Sequence, residues 1–385
     1  AAVPEALAGS TNSGISIDYA EPNRLGRPMR TPNDPRMNDF SQWHLYNNSQ
    51  LGVDIKAARA WDRRFSAAYG STNKVIVAVI DSGVNYNHED LNANMWRNPG
   101  EIAGNGIDDD GNGLTDDVYG ANYLGSNGDP MDPNDNSHGT HCSGLIGAVG
   151  NNAVGVTGVA WAGVQIMALR FINGTGSTTD EVKCIDYAIA KGAKVINASF
   201  GFPDNNGGSS TESSAIQRAS SAGIILVAAA GNNGANNDTS PFYPASYNRS
   251  NIIAVGATDR NDAKASFSNY GASSVDLMAP GVEMWSTTTS GSSTNSYSQG
   301  QGTSFAAPVV SGAVALLVAE SPNDSVSTRR SKVVNTNAVD VLPSLSGLCV
   351  TGGRLNLAKL LPAADVNTLS PALVWHRPDH LEGLI

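Results

Sequence analysis

The sequence predicts an α/β fold on a mostly parallel sheet, and three stretches carry that expectation. Val75–Ile80, between Lys74 and Asp81, is a β-branched apolar run without polar alternation, as a parallel strand buried on both faces requires. A second such run starts at Ile224 and ends at Asn232. The segment FAAPVVSGAVALLVAE after Ser304 is apolar almost all round, which places a helix inside a large core. With 385 residues and 40% hydrophobic content, the chain can bury such a core as one unit.

In chain order, residues 1–31 are polar and hold Pro, Gly and Arg without periodicity, so a flexible arm is expected. The globular unit is expected over 32–361, and 362–385, with three prolines, reads as a tail. Asp81 closes the first strand, and ligand sites of open α/β sheets lie just outside such carboxyl ends. An acidic insert over 98–120 follows. His138, in SHGTHCSG, opens a helical stretch; a strand over Lys194–Gly201 and the Ile224 strand come next. Ser304, in GTSFAAP, then opens the core helix, with Pro308 expected in its first turn.

Asp81, His138 and Ser304 are an acid, a base and a nucleophile. A Ser hydroxyl attacks only when an imidazole takes its proton, and the imidazole needs a buried carboxylate to hold its tautomer. The free N–H groups and positive end of a helix starting at Ser304 favour a developing oxyanion. Asn232, at the end of its strand, offers a side-chain donor to the same charge.

VIDSG, SHGTHCSG and GTSFAAP, in this order, resemble the subtilisin-like serine proteases, or subtilases, over roughly residues 32 to 361. The resemblance implies a three-layer α/β/α fold with a doubly wound sheet and a serine endopeptidase in which Asp81, His138, Ser304 and the oxyanion-hole residue Asn232 are catalytic. It places Gly176 and Ser177 on one edge of the substrate cleft and Ser199, Phe200 and Gly201 on the other, where a peptide would add as a strand. It puts Phe242 at the base of the P1 pocket, so small or medium apolar P1 residues are expected. It also implies an inhibitory propeptide, separate or the chain's own, and a free Cys142 beneath the triad.

Six of the seventeen residues from Glu101 to Asp117 are acidic, a cluster that repels itself without a cation. Asp108, Asp110 and Asn112, followed by Gly113, begin like an EF-hand loop and favour Ca²⁺. Tyr119 then stands where the closing Glu belongs, so Asp116, Asp117 or Glu101 must complete the shell, with Leu114 counted among the candidates. Resemblance to thermitase-like members suggests a second calcium site from Asp34, Asp90, Val149, Asn152, Val154 and Val156.

The net charge of −11 and the lack of a basic stripe give no support for nucleic-acid binding. The Ser304 segment is expected to be too short and too interrupted by Ser, Gly and Pro to span a bilayer. His141 follows His138 by one turn, yet HExxH is absent, so a packing role is expected rather than zinc. Three cysteines exclude a dense disulfide scaffold and leave a Cys184–Cys349 pair open. Weak oxygen-rich calcium sites fill in extracellular or secretory-compartment calcium, so a secreted or secretory-vesicle protein is expected; a monomer is also expected. The rivals are a catalytically silent calcium-dependent binding protein, and an esterase, which GTSFA disfavours because it lacks the second Gly of GxSxG.

Overall fold

The structure is a computed structural model that describes residues 31–64, 74–133, 137–290 and 293–361. Almost all of the expected arm and the whole expected tail therefore lie outside the described residues.

The described residues form a nine-stranded sheet. From one edge its strands are Val339–Val341, Gly353–Leu355, Leu277–Pro280, Ile252–Thr258, Ile225–Ala229, Val195–Ala198, Val75–Asp81, Val164–Arg170 and Gly120–Asn122. All neighbours pair parallel except Val339–Val341, which runs antiparallel to Gly353–Leu355.

Helices cover both faces, which is why the strands lack polar alternation. Val75, Val77, Val79, Ile225, Val227, Ile253 and Val255 point into one core with the His138–Gly147 and Thr303–Glu320 helices. Ala78, Ile80, Leu226, Ala228, Ile252 and Ala254 point into the other with the Thr178–Ala190 and Ser210–Ser221 helices. Successive strand residues face opposite sides, so each strand serves two apolar layers at once. The fold is the expected three-layer α/β/α arrangement.

The Thr303–Glu320 helix is buried from Thr303 to Val318. Contrary to expectation, it has the length and apolarity of a membrane-crossing helix, and packing in the core accounts for that composition. Pro308 also departs from expectation, because the helix starts at Thr303 and so carries the proline in its second turn. A hairpin of Met284–Ser290 with Ser293–Gly300 packs against the His138 helix, where Ser286 Oγ and Thr287 Oγ1 donate to the carbonyls of His141 and Thr140.

Candidate active site

Asp81 ends its strand almost fully buried. Its Oδ1 accepts from the Ser82 N–H and from His138 Nδ1, both at 2.7 Å. The His138 helix can begin this close because residue 139 is glycine: a Cβ there would lie 2.1 Å from the Gly83 carbonyl and 3.0 Å from Asp81 Cβ. Burial alone would lower the His138 pKa, but the Asp81 carboxylate overrides it and holds the imidazole well above its ordinary value. In the neutral ring Nδ1 carries its proton toward Asp81, which leaves Nε2 as the acceptor nitrogen.

Ser304 lies in the first turn of its helix. Among the described residues no hydrogen bond joins its hydroxyl to His138, a contact that is often loose before substrate binds. The two meet through intermediaries: Cys142 Sγ is 4.0 Å from His138 Nδ1 and donates to the Ser304 carbonyl at 3.4 Å. The Phe305 ring lies 5.4 Å from the His138 ring, centroid to centroid.

Asn232 is not at the end of its strand, which stops at Ala229; it stands three residues on, exposed at the C-terminal edge. Its Oδ1 accepts from Thr303 N at 2.8 Å and Thr303 Oγ1 at 2.9 Å, which turns the amide nitrogen toward Ser304. A Cβ on Gly302 would lie 2.8 Å from Ser304 Oγ, 3.5 Å from Asn232 Nδ2 and 3.6 Å from Ser304 N. With φ of +152°, glycine is suited to this position, and its missing side chain keeps open the space that these three groups face.

Gly176 lies in the short strand Thr175–Gly176, which pairs with Ile172–Asn173, and Ser177 caps the next helix by accepting from Asp180 N. Together with Phe171, Glu181, Phe200 and Gly201 they line a cavity of about 610 Å³. Ser199 follows the Val195–Ala198 strand and is buried. Phe242 is buried in the short strand Phe242–Tyr243, which pairs with Phe202–Pro203; its ring lies 2.4 Å from a Cβ built on Gly201 and 3.0 Å from one on Gly231, and it does not line that cavity.

In the acidic insert, the carboxylates of Glu101, Asp110 and Asp117 offer oxygens within 4.8 Å of one another. Glu101 Oε2 is buried without a partner, as an atom reserved for a cation would be. Such a hard-oxygen set fits Ca²⁺. Asn112 touches the set by donating to Asp117 Oδ2 at 2.8 Å, while its Oδ1 accepts from Leu114 N. Asp108 and Asp116 stand apart, their oxygens occupied by the backbone N–H groups of Asn112, Gly113, Gly104 and Gly106. Three partners escaped the sequence reading: Asn98 bridges Asp110 and Asp117, Tyr187 donates to Asp117, and the Lys191 ammonium pairs with Asp110.

At the second expected calcium site the structure brings Asp34, Asp90 and the 149–156 loop together. Asp34 accepts from the N–H groups of Asn151 and Asn152, and Asp90 from Asn152 Nδ2 and Val156 N, while the Val149 N–H donates to the Asp90 carbonyl. The Val154 N–H donates to Asn152 Oδ1. Burial raises Asp90 to about 7, so an uncompensated charge there is unfavourable and a cation would relieve it.

His141 has the expected packing role: its Nε2 meets the Met284 carbonyl at 3.0 Å, and burial lowers its pKa to about 3, which keeps it neutral. All three cysteines are free, so Cys184 and Cys349 do not pair.

A carboxylate at a strand end, an imidazole and a hydroxyl in the first turns of two helices, and donors beside an open point are brought together on a doubly wound, mostly parallel α/β sheet. The chain belongs to the subtilase family, whose profile matches residues 72–361. It is 38% identical over 332 residues to thermitase of Thermoactinomyces vulgaris, covering 86% of this chain and 98% of thermitase. It is 38% identical over 322 residues to a thermophilic serine proteinase of Bacillus sp. (strain AK1), covering 83% of this chain and 68% of that one. Against subtilisin-like protease 1 of Plasmodium vivax the identity is 34% over 348 residues, 86% of this chain and 54% of the relative. The chain thus spans about half the length of that parasite relative. A solved protease of Pseudoalteromonas arctica superposes with a TM-score of 0.69 at 31% identity, covering 86% of this chain and 98% of that one.

Proposed function

We propose that this chain is a serine endopeptidase. Ser304 Oγ attacks the scissile carbonyl as His138 Nε2 takes its proton, and His138 then gives that proton to the leaving amine. Asp81 holds the imidazole and balances its positive charge. The Ser304 N–H and Asn232 Nδ2 receive the oxyanion. The observation that carries this reading is the convergence of Ser304 Oγ, Ser304 N and Asn232 Nδ2 on the space beside Gly302, with the 2.7 Å bond from His138 to Asp81 behind it.

The substrate is a protein segment laid as a strand between Thr175–Ser177 and Ser199–Gly201. Phe242 fills the P1 pocket and favours small or medium apolar side chains. The cluster of Glu101, Asp110 and Asp117, and the Asp34 and Asp90 site, hold structural Ca²⁺ remote from the cut bond. Oxygen-rich sites of this kind fill at extracellular and secretory-compartment calcium levels, which supports an exported protein. It is read as a monomer made with an inhibitory propeptide.

Cleavage of quenched peptides, with product masses, tests the reading. Internal cuts that disappear in Ser304→Ala support it; cuts that survive in that variant contradict it. In a P1 scan, Ala and Leu should exceed Phe and Tyr; a tenfold preference for the aromatics would remove Phe242 from the pocket.

A further inference from the structure

Pro308 has no N–H, so the carbonyl of Ser304, four residues earlier, lacks its helical donor. That carbonyl is nevertheless satisfied. Ser199 Oγ donates to it at 2.8 Å, with the Cys142 thiol as a second, weaker donor at 3.4 Å.

Ser199 is itself held from behind. Its oxygen accepts from Asn197 Nδ2 at 2.9 Å, and Asn197 Oδ1 accepts from Ser311 Oγ at 2.9 Å. Asn197, Ser199 and Ser311 are all buried. The direction of every bond is forced. A carbonyl only accepts, so the Ser199 hydroxyl must donate to it; that oxygen then takes the amide N–H, and the amide oxygen takes the Ser311 proton. An uncharged relay thus leaves the Ser304 helix at Ser311, crosses the sheet strand at Asn197, and returns to the helix at Ser304. Fully paired polar chains of this kind rigidify a core.

We propose that Ser199 is a positioning residue for the nucleophile: its hydroxyl replaces the helix hydrogen bond that Pro308 deletes and fixes the main chain at Ser304. The direction of Ser304 Oγ and the placement of its oxyanion N–H both depend on that main chain. Ser199 also begins the Ser199–Gly201 edge, so one residue ties the nucleophile to the strand on which substrate is laid. The proposal rests on Ser304 being the nucleophile.

The test compares calcium-loaded wild type, Ser199→Ala, and Ser199→Ala with Pro308→Ala by fluorophosphonate labelling rate, kcat and KM on an extended peptide, and Tm. Ser199→Ala should lower kcat and the labelling rate roughly tenfold at unchanged KM, since misplacing a reacting group by about 1 Å costs up to about 10². Adding Pro308→Ala supplies the missing helical N–H to that carbonyl, which otherwise keeps only the weak Cys142 donor, and should recover most of that loss. If Ser199→Ala folds poorly, Ser311→Ala, one step back along the relay, should show a smaller change of the same kind. A lower Tm with unchanged labelling rate per folded molecule, or no recovery in the double variant, would overturn the proposal. Failure of wild type to label would remove the nucleophile reading first, and this proposal with it.

Discussion

Thr303 grips Asn232 twice: its N–H and its hydroxyl both donate to Asn232 Oδ1, at 2.8 and 2.9 Å. Because a backbone N–H can only donate, the amide cannot be flipped, and its NH₂ is set toward Ser304 before substrate arrives. Asn232→Ala should reduce kcat by about 10²–10³ with little change in KM, because the lost bond forms with developing charge. Thr303→Val, which keeps the backbone donor, should lose far less. Steady-state kinetics on one peptide distinguish the two.

The pH dependence should follow His138. Only the neutral imidazole can accept the Ser304 proton, and Asp81 holds its pKa well above the ordinary 6.5 against the effect of burial. Activity should therefore rise with pH through that elevated value, giving a neutral-to-alkaline optimum. Asp81→Asn should lower kcat about 10⁴-fold and shift the acid limb of any residual activity downward. A pH–kcat/KM profile of both proteins checks the sign.

Calcium removal should act on stability before chemistry. A cation at 100 times its dissociation constant adds about 2.7 kcal/mol to the folded state, so chelation should lower Tm while the first turnovers proceed normally. Glu101→Gln and Asp117→Asn should weaken calcium binding. Lys191→Met should strengthen it, because the ammonium now paired with Asp110 competes with the ion. Calorimetric titration in a Ser304→Ala background, where autolysis is absent, reads all three.

A second pH effect resides away from the triad. Glu181 and Glu212 are buried on the adjacent Thr178–Ala190 and Ser210–Ser221 helices. Tyr247 donates to Glu212 Oε2 at 2.7 Å. Burial raises both carboxyls, and for Glu181 the neighbouring Glu212 adds to it. The folded protein thus keeps protons that the unfolded chain releases above about 4.5, so this pair's contribution to stability falls as pH rises from there through the raised values. Urea unfolding of Ser304→Ala at pH 5 to 8 in saturating calcium should show that decline. Glu181→Gln should flatten it.

What the sequence disclosed is what local pattern encodes. The unalternating run before Asp81 revealed a strand serving two cores, and SHGTHCSG and the apolar stretch after Ser304 revealed two helices. What it hid depends on contacts between segments distant in sequence. Gly302 and Gly139 matter for the atoms they leave room for, which no spacing reveals. The acidic loop was legible as a cluster of carboxylates, but Lys191, Tyr187 and Asn98 reach Asp110 and Asp117 from beyond the EF-like pattern. The misplacement of Pro308 has a physical cause: proline is easiest to accommodate in a first turn, whereas here Ser199 compensates the bond that the second-turn proline removes.

The most direct measurement is intact-mass detection of fluorophosphonate labelling on the purified chain and on Ser304→Ala, with calcium and with a chelator. One adduct per molecule that requires Ser304, with the capacity to form it declining only slowly after chelation, is the expected result. A folded, calcium-loaded, propeptide-free sample that takes up no label would contradict an activated serine at the centre of this site.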